Sequence, residues 1–270
     1  MKIIISHDVD HLYVQDHLFK DLIIPKLWVR SLIQLCKGKI NIRTFFYRIL
    51  YIFSNRQNRI QEVMRKDEQY GIKSSFFFGM SNGLGMSYNL SRAIPYICDV
   101  KDKGFDVGVH GIEFKNYDEI KKEYDKFRSI IHADNFGIRM HYVRFDENTF
   151  EKLDKCGYLY DTTKFNKKEI EICAPYKVGN MWEFPLHIMD GYVFDDGELE
   201  KGIEKTIKII KEANEKNMPY CTILFHDYLY NDKCYPTGKE WYDWLLKYLK
   251  ENGYEFVSYR DAIGELEELI

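Results

Sequence analysis

The sequence predicts an α/β protein built on a parallel sheet, either open or closed into a barrel. Three observations carry that reading. Short β-branched or aromatic runs alternate with segments of helical periodicity along the chain. The 270 residues are 45% hydrophobic, enough to bury one large core. Several of the expected strands end in polar, metal-capable residues, and in parallel α/β proteins sites form at the carboxyl ends of strands.

The elements follow in order. Residues 2–6 form a β-branched run and read as a buried strand, and SSFFF at 74–78 reads as the second. About 65 residues separate them, where a simple βα unit needs far fewer. Within that gap, residues 18–60 are aromatic, aliphatic and basic, with nine basic residues from Lys20 to Arg59 against one acid, Asp21. Pro25 and Gly38 are expected to divide this stretch into two or more helices. It reads as a helical insertion on a single domain spanning 1–270, not as a second domain. Further strands are expected at 105–109, 137–142, 158–162, 182–187 and 221–226. Helices are expected at 117–131, 146–155, 198–216 and 239–251, the last with Gly253 just beyond it as a stop signal.

Composition excludes several classes. The chain is too apolar for disorder, and a net charge of −3 argues against nucleic acid as partner. The six cysteines lie far apart with no CxxC pair, as expected of reduced thiols in a cytoplasmic protein. The N-terminal stretch has no long apolar core, so a secretory leader is not expected. No run of 18 residues is apolar and uncharged, so no spanning helix is expected either.

The chemistry concentrates at strand ends. The first strand runs into His7-Asp8-Val9-Asp10-His11, the third into His110-Gly111-Ile112-Glu113, and the next carries Arg139-Met140-His141-Tyr142. Asp161 ends YDTT, and the last strand carries His226-Asp227. Two carboxylates one residue apart, just past a buried strand, can converge on one cation, one binding it and the other serving as base. An isolated Asp-x-Asp is more often a solvated turn, and a lone histidine more often a hydrogen-bonded core residue. The coincidence of several such strand ends is what favours a site.

SHDVDH, GVHG, GIRMHY, YDTT and LFHD, in this order and spacing, resemble the motifs of the polysaccharide deacetylase superfamily (NodB-homology, carbohydrate esterase family 4-like). The resemblance covers most of the chain. It extends through GIRMHY and EFPLHIMDG to a bacterial branch associated with surface-polysaccharide synthesis. It implies a distorted (β/α)7 barrel holding one divalent metal, usually zinc (manganese, cobalt and nickel being alternatives), that removes N-acetyl groups from amino sugars. By the same resemblance, Asp8 is the catalytic base, Asp10 and His110 are metal ligands and Arg139 orients the base. Asp161 tunes the catalytic histidine, and His226 is the general acid.

The pattern departs from the family at one place. Four residues after His110, where a second histidine ligand is usual, stands Phe114. Glu113 is the preferred substitute, with His11 or His141 as alternatives, or the metal is lost. His141, Tyr142 and Trp182 are candidates for contact with a sugar, with Tyr192 beside them, and Gly191 marks a loop at the site mouth. The basic stretch 18–60 reads either as a solvated helical cap or as a peripheral contact with anionic membrane. The expected activity is that of a metal-dependent amino-sugar deacetylase. The rivals are an amidohydrolase acting on a small non-sugar amide and a degenerate barrel that binds carbohydrate without cleaving it.

Overall fold

The computed structural model describes residues 1–17, 21–169 and 171–268. Leu18, Phe19 and Lys20, the first residues of the expected insertion, lie outside that description.

Strand β1 (Lys2–Val9) is buried from its second residue to its last, as a strand covered on both faces must be. It pairs in parallel with β2 (Ser75–Gly79) on one side and β9 (Tyr220–Leu224) on the other. The remaining strands are β3 (Asp106–Gly111), β4 (Gly137–Met140), β5 (Tyr160–Asp161), β6 (Tyr176–Val178), β7 (Met181–Glu183) and β8 (Ile188–Met189). The hydrogen-bonded order is β6-β7-β5-β4-β3-β2-β1-β9-β8, with only β6–β7 antiparallel. The helices are α1 (Ile23–Cys36), α2 (Ile42–Leu50), α3 (Ile60–Gln69), α4 (Leu90–Asp102), α5 (Tyr117–Ile131), α6 (Thr149–Cys156), α7 (Asp190–Val193), α8 (Leu199–Glu215), α9 (Pro236–Glu251) and α10 (Tyr259–Glu267).

The sheet curls until one run of chain joins its two edges. β7 pairs with β5 at one edge, and β8, five residues on, pairs with β9 at the other. Between them Phe184 N–H donates to Asp161 O (2.8 Å), Leu186 N–H to Lys164 O (2.9 Å) and His187 N–H to Thr222 O (3.2 Å). Residues 181–189 thus act as one stave that changes partner between Leu186 and His187. Together with β1, β2, β3, β4, β5 and β9 this makes a distorted seven-stave α/β barrel. The expectation of one strand at 182–187 is corrected to this partner-changing run.

The interior is filled unevenly. Phe77, Tyr160, Phe184, Tyr220 and Tyr259 form an aromatic cluster inside the barrel, and Trp182 belongs to it. The rings fit because β3 and β4 carry glycine where they face them. A Cβ at Gly108 would lie 2.7 Å from the Gly137 carbonyl oxygen and from the Phe77 ring, and one at Gly137 would fall on the Tyr160 ring. The larger apolar cluster lies outside the staves, under α3, α4, α5, α8 and α9.

The insertion lies between β1 and β2 and contains α1 and α2. Pro25 stands in the first turn of α1 and does not divide it. Gly38, in the left-handed region at φ +69°, follows that helix's end. A small cluster of Val14, Ile24, Tyr51 and Cys234 ties the insertion to the barrel. All six cysteines are free thiols, and among the described residues no helix is long and apolar enough to cross a membrane.

Asp161 and Glu183 are fully buried neighbours at the ends of β5 and β7. Asp161 Oδ2 and Glu183 Oε2 have no other partner, so one shared proton satisfies both. Burial, and then the Asp161 charge, hold the Glu183 carboxyl well above its ordinary value. The unfolded chain releases that proton near the ordinary carboxyl value, so above it the native state binds the extra proton. Stability therefore falls as pH rises, by at most about 1.4 kcal/mol per pH unit from this group. Glu183→Gln keeps a donor toward Asp161 without the titration. Thermal melts between pH 5 and 9 should show a flatter pH dependence for Glu183→Gln than for the unaltered chain.

Candidate metal centre and catalytic cleft

The alternation of β1 decides which residues of His7-Asp8-Val9-Asp10 face the cleft. His7 points outward and is held by Phe225 O (2.8 Å) and Asp67 (3.0 Å), and Val9 joins the outer core. Asp8 and Asp10, two residues apart, both line the cleft at the carboxyl ends of the staves. His110 arrives at the end of β3, Arg139 within β4, His141 just after it, Asp190 after β8 and His226 after β9. The cleft they open into has a volume of about 500 Å³.

Asp10, His110 and His141 converge. His110 Nε2 is 3.2 Å and His141 Nδ1 3.3 Å from Asp10 Oδ1, and the two ring nitrogens are 2.9 Å apart. The opposite nitrogens are anchored: His110 Nδ1 lies 3.0 Å from the Arg139 carbonyl and His141 Nε2 lies 3.3 Å from the Leu84 carbonyl. A carbonyl only accepts, so each anchored nitrogen carries its hydrogen and each converging nitrogen presents a lone pair. Two lone pairs at that distance need a shared proton or a cation between them. Asp10 Oδ1 is buried with no hydrogen-bond partner, as suits an oxygen that would ligate a cation. The carboxylate and two imidazoles suit a borderline divalent ion such as zinc. Despite burial, Asp8 and Asp10 push His110 up, while His141 and His110 keep Asp10 well below the ordinary carboxyl value.

Two charged pairs flank this cluster. On one side, Arg139 Nη1 donates to Asp8 Oδ1 at 2.9 Å, and Asp8 Oδ2 lies 3.7 Å from His110 Nε2. Burial acts to raise the Asp8 carboxyl, but the positive charges of His110 and Arg139 hold it below its ordinary value. On the other side, Asp190 Oδ1 and Oδ2 are both 2.9 Å from His226 Nδ1, and Oδ2 also accepts the His226 backbone N–H at 2.6 Å. His226 Nε2 therefore faces the cleft, 3.7 Å from Asp10 Oδ2. Burial acts to lower this imidazole, but Asp190, backed by Asp10 and Asp8, pushes it up to about 10.

Several expectations from the sequence are corrected here. Glu113 is not at the cleft. Its carboxylate accepts the backbone N–H groups of Lys115 and Asn116 at 2.6 and 3.0 Å, ordering the turn into α5. His141, an alternative to Glu113, takes the third place in the cluster and also lines the cleft. Asp161 does not touch His226, since it is buried against Thr163 and Glu183, and Asp190 is the histidine's partner. Trp182 is a core residue, 5% exposed, and is not a wall of the cleft. Tyr142 does line the cleft, 57% exposed, with its ring 4.1 Å from that of His141. It and Val143 lie in the left-handed region at φ +58° and +46°, a strained turn of the kind that collects at functional sites. His11 lines the cleft outside the cluster, and burial lowers it to about 3, so it is neutral.

No family model matches the sequence, and no curated protein is significantly similar to it. Solved structures are similar in fold. One described as a polysaccharide deacetylase from Mycobacterium smegmatis superposes with a TM-score of 0.61 at 13% identity, over 97% of this chain and 88% of that one. A CE4-family pseudoenzyme from Bacillus anthracis gives 0.49 at 12% identity, and 75% of this chain spans 59% of that one. A polysaccharide deacetylase described as involved in O-antigen biosynthesis in Bordetella bronchiseptica gives 0.39 at 12% identity, over 82% of this chain and 70% of that one. The superposition on the mycobacterial structure establishes the fold: this chain has the polysaccharide deacetylase fold, the one its motifs resemble.

The ligand assignment makes a direct prediction. After loading with zinc and removal of excess, the unaltered chain should retain about one equivalent by elemental analysis, releasing protons as it binds. Asp10→Ala, His110→Ala and His141→Ala should each lose it, and Glu113→Ala should keep it. Loss in Glu113→Ala with retention in His141→Ala would reverse the assignment.

Proposed function

We propose that the chain is a metal-dependent hydrolase that removes the N-acetyl group from an amino sugar of a bacterial surface glycan or its precursor. The observation that carries this reading is the opposed pairing across one cluster. A carboxylate is held ionised by His110 and Arg139, and an imidazole is held protonated by Asp190. Carbohydrate binding alone needs no acid and base with ionisations driven apart in this way, whereas amide hydrolysis needs both.

A divalent cation bound by Asp10, His110 and His141 would polarise an amide carbonyl and acidify water at the cluster. The remaining steps belong to the chain's own residues. Asp8, fixed by Arg139, takes a proton from the attacking water. His226, fixed through Nδ1 by Asp190, gives its Nε2 proton to the departing amine. Tyr142 offers an exposed ring at the cleft wall for stacking on the sugar, and the strained turn holds that ring against His141. Phe114 favoured a degenerate binder only while a third ligand was lacking, and His141 removes that motive. Discrimination between sugar and small non-sugar amides rests with the substrate panel below.

Zinc-, manganese- and cobalt-loaded protein should release acetate from at least one of a panel of N-acetylated amino sugars and should not hydrolyse ureides or simple amides. On that substrate Asp8→Asn should lower kcat by about 10²-fold or more while its metal content is unchanged. His226 must be protonated to act, and Asp190→Asn lowers its pKa. The alkaline limb of the kcat profile should therefore move to lower pH in that variant. Full turnover by Asp8→Asn, or cleavage confined to the ureides, contradicts the proposal.

A further inference from the structure

The two helices of the insertion are inverted relative to ordinary surface helices. The buried positions of α1 are Ile24, Ser31 and Gln34, and those of α2 are Thr44 and Arg48. Arg48 ties this polar side down by donating to Gln34 Oε1 and Cys234 O, each at 2.6 Å, and by pairing with Asp196 at 3.0 Å. Ile24, Leu27, Trp28 and Tyr47 pack toward the barrel, but a second set of apolar residues points outward. Val29 is 61% exposed, Phe46 55% and Phe53 84%. Leu22, Val29 and Ile33 on α1 and its entry recur at helical spacing, as do Ile42, Phe46 and Leu50 on α2. Of the fourteen large apolar side chains exposed among the described residues, eight fall between Leu22 and Phe53.

Charge identifies what fits this face. Lys26, Arg30, Lys37 and Arg43 are exposed beside the apolar stripe. The single acid of residues 21–60, Asp21, is engaged by His17 and Ser87. Asp195, which borders the groove along α1, is neutralised by Lys39 at 2.9 Å and Arg30 at 3.7 Å. A second copy of this chain docked through a two-fold axis would set these bases against themselves, which like-charge repulsion opposes. An apolar stripe rimmed by bases instead matches the interface of a bilayer with anionic headgroups.

We propose that the outward face of α1 and α2 docks on an anionic lipid bilayer, with the apolar stripe in the headgroup–acyl boundary and the bases against lipid phosphates. Lys26 and Arg30 line both the groove along α1 and the catalytic cleft, so docking sets the cleft mouth beside the lipid surface. If the cleft acts as proposed above, its substrate class is then an amino sugar carried on a lipid. Docking itself does not depend on that reading.

The test is sedimentation of the full chain with vesicles of phosphatidylglycerol and phosphatidylcholine, and of phosphatidylcholine alone, at low salt. It reads binding without activity. The chain should pellet with the anionic vesicles and much less with the neutral ones. Phe46→Ser with Phe53→Ser should lower partitioning by about tenfold or more. Lys37→Glu with Arg43→Glu should abolish the preference for anionic lipid. Circular dichroism should show both variants folded, as expected for exposed positions. Failure to pellet with anionic vesicles at low salt overturns the proposal. So does pelleting unchanged in both variants. A dimer in sedimentation velocity that the Phe46/Phe53 variant dissociates assigns the face to self-association instead.

Discussion

Arg139 is wholly buried beneath the cleft, and the barrel is assembled around its guanidinium. Its Nη1 donates to Asp8, its Nη2 lies within bonding distance of Ser6, Thr162 and Tyr259, and its Nε donates to the Thr162 carbonyl. The group also stacks 4.6 Å from the centre of the Phe77 ring. These partners come from β1, β2, the end of β5 and α10, so one side chain of β4 fixes four other elements at the level of the site. A buried cation is costly unless every donor is met, and removing the carboxylate from such a pair typically costs about 3–5 kcal/mol. The arrangement holds Asp8 ionised and oriented next to the metal-capable cluster.

The electrostatics of the cleft follow from that anchor and its counterpart. Burial alone would protonate Asp8 and deprotonate His226. Arg139 and His110 reverse the first tendency, and Asp190, with Asp10 and Asp8, reverses the second. The cluster of Asp10, His110 and His141 lies between them, its two imidazoles oriented by backbone carbonyls. Backbone carbonyls of β4 and of the loop before Tyr88 thus set the tautomers, and the fold specifies the ligand geometry without further side chains.

Much of this is legible in the sequence. The β-branched runs and the helical periods place β1, β2, β3, β9, α5, α6, α8 and α9, because burial on both faces or on one stripe leaves a period that local reading detects, while α3, α4 and α10 are not read from it. Asp8, Asp10, His110, Arg139 and His226 are recognisable as residues at strand ends. The errors have physical causes. Residues 181–189 change partner between Leu186 and His187 to serve both edges of the sheet, and only the pairing reveals that. Glu113 lies three residues from His110, yet its carboxylate bonds the turn before α5, while His141 reaches the cluster from a neighbouring strand. The resemblance implies Asp161 as the partner of His226, but Asp190 lies beyond the strand expected at 182–187 and only the pairing of β8 with β9 brings it there. Trp182 resembles a sugar platform in sequence but belongs to the aromatic interior that Gly108 and Gly137 make room for.

The insertion shows the same division between local pattern and context. Its basic, aromatic composition is plain in the sequence, but its inverted packing depends on Arg48 burying its charge against Asp196, Gln34 and a backbone carbonyl. The claim on which the functional reading rests is that His141, and not Glu113, completes the metal centre. Anomalous diffraction at the zinc edge from crystals of the zinc-loaded chain tests it most directly. One strong peak bounded by Asp10 Oδ1, His110 Nε2 and His141 Nδ1 is predicted. A peak coordinated by Glu113, or none at this cluster while zinc binds elsewhere, would contradict it.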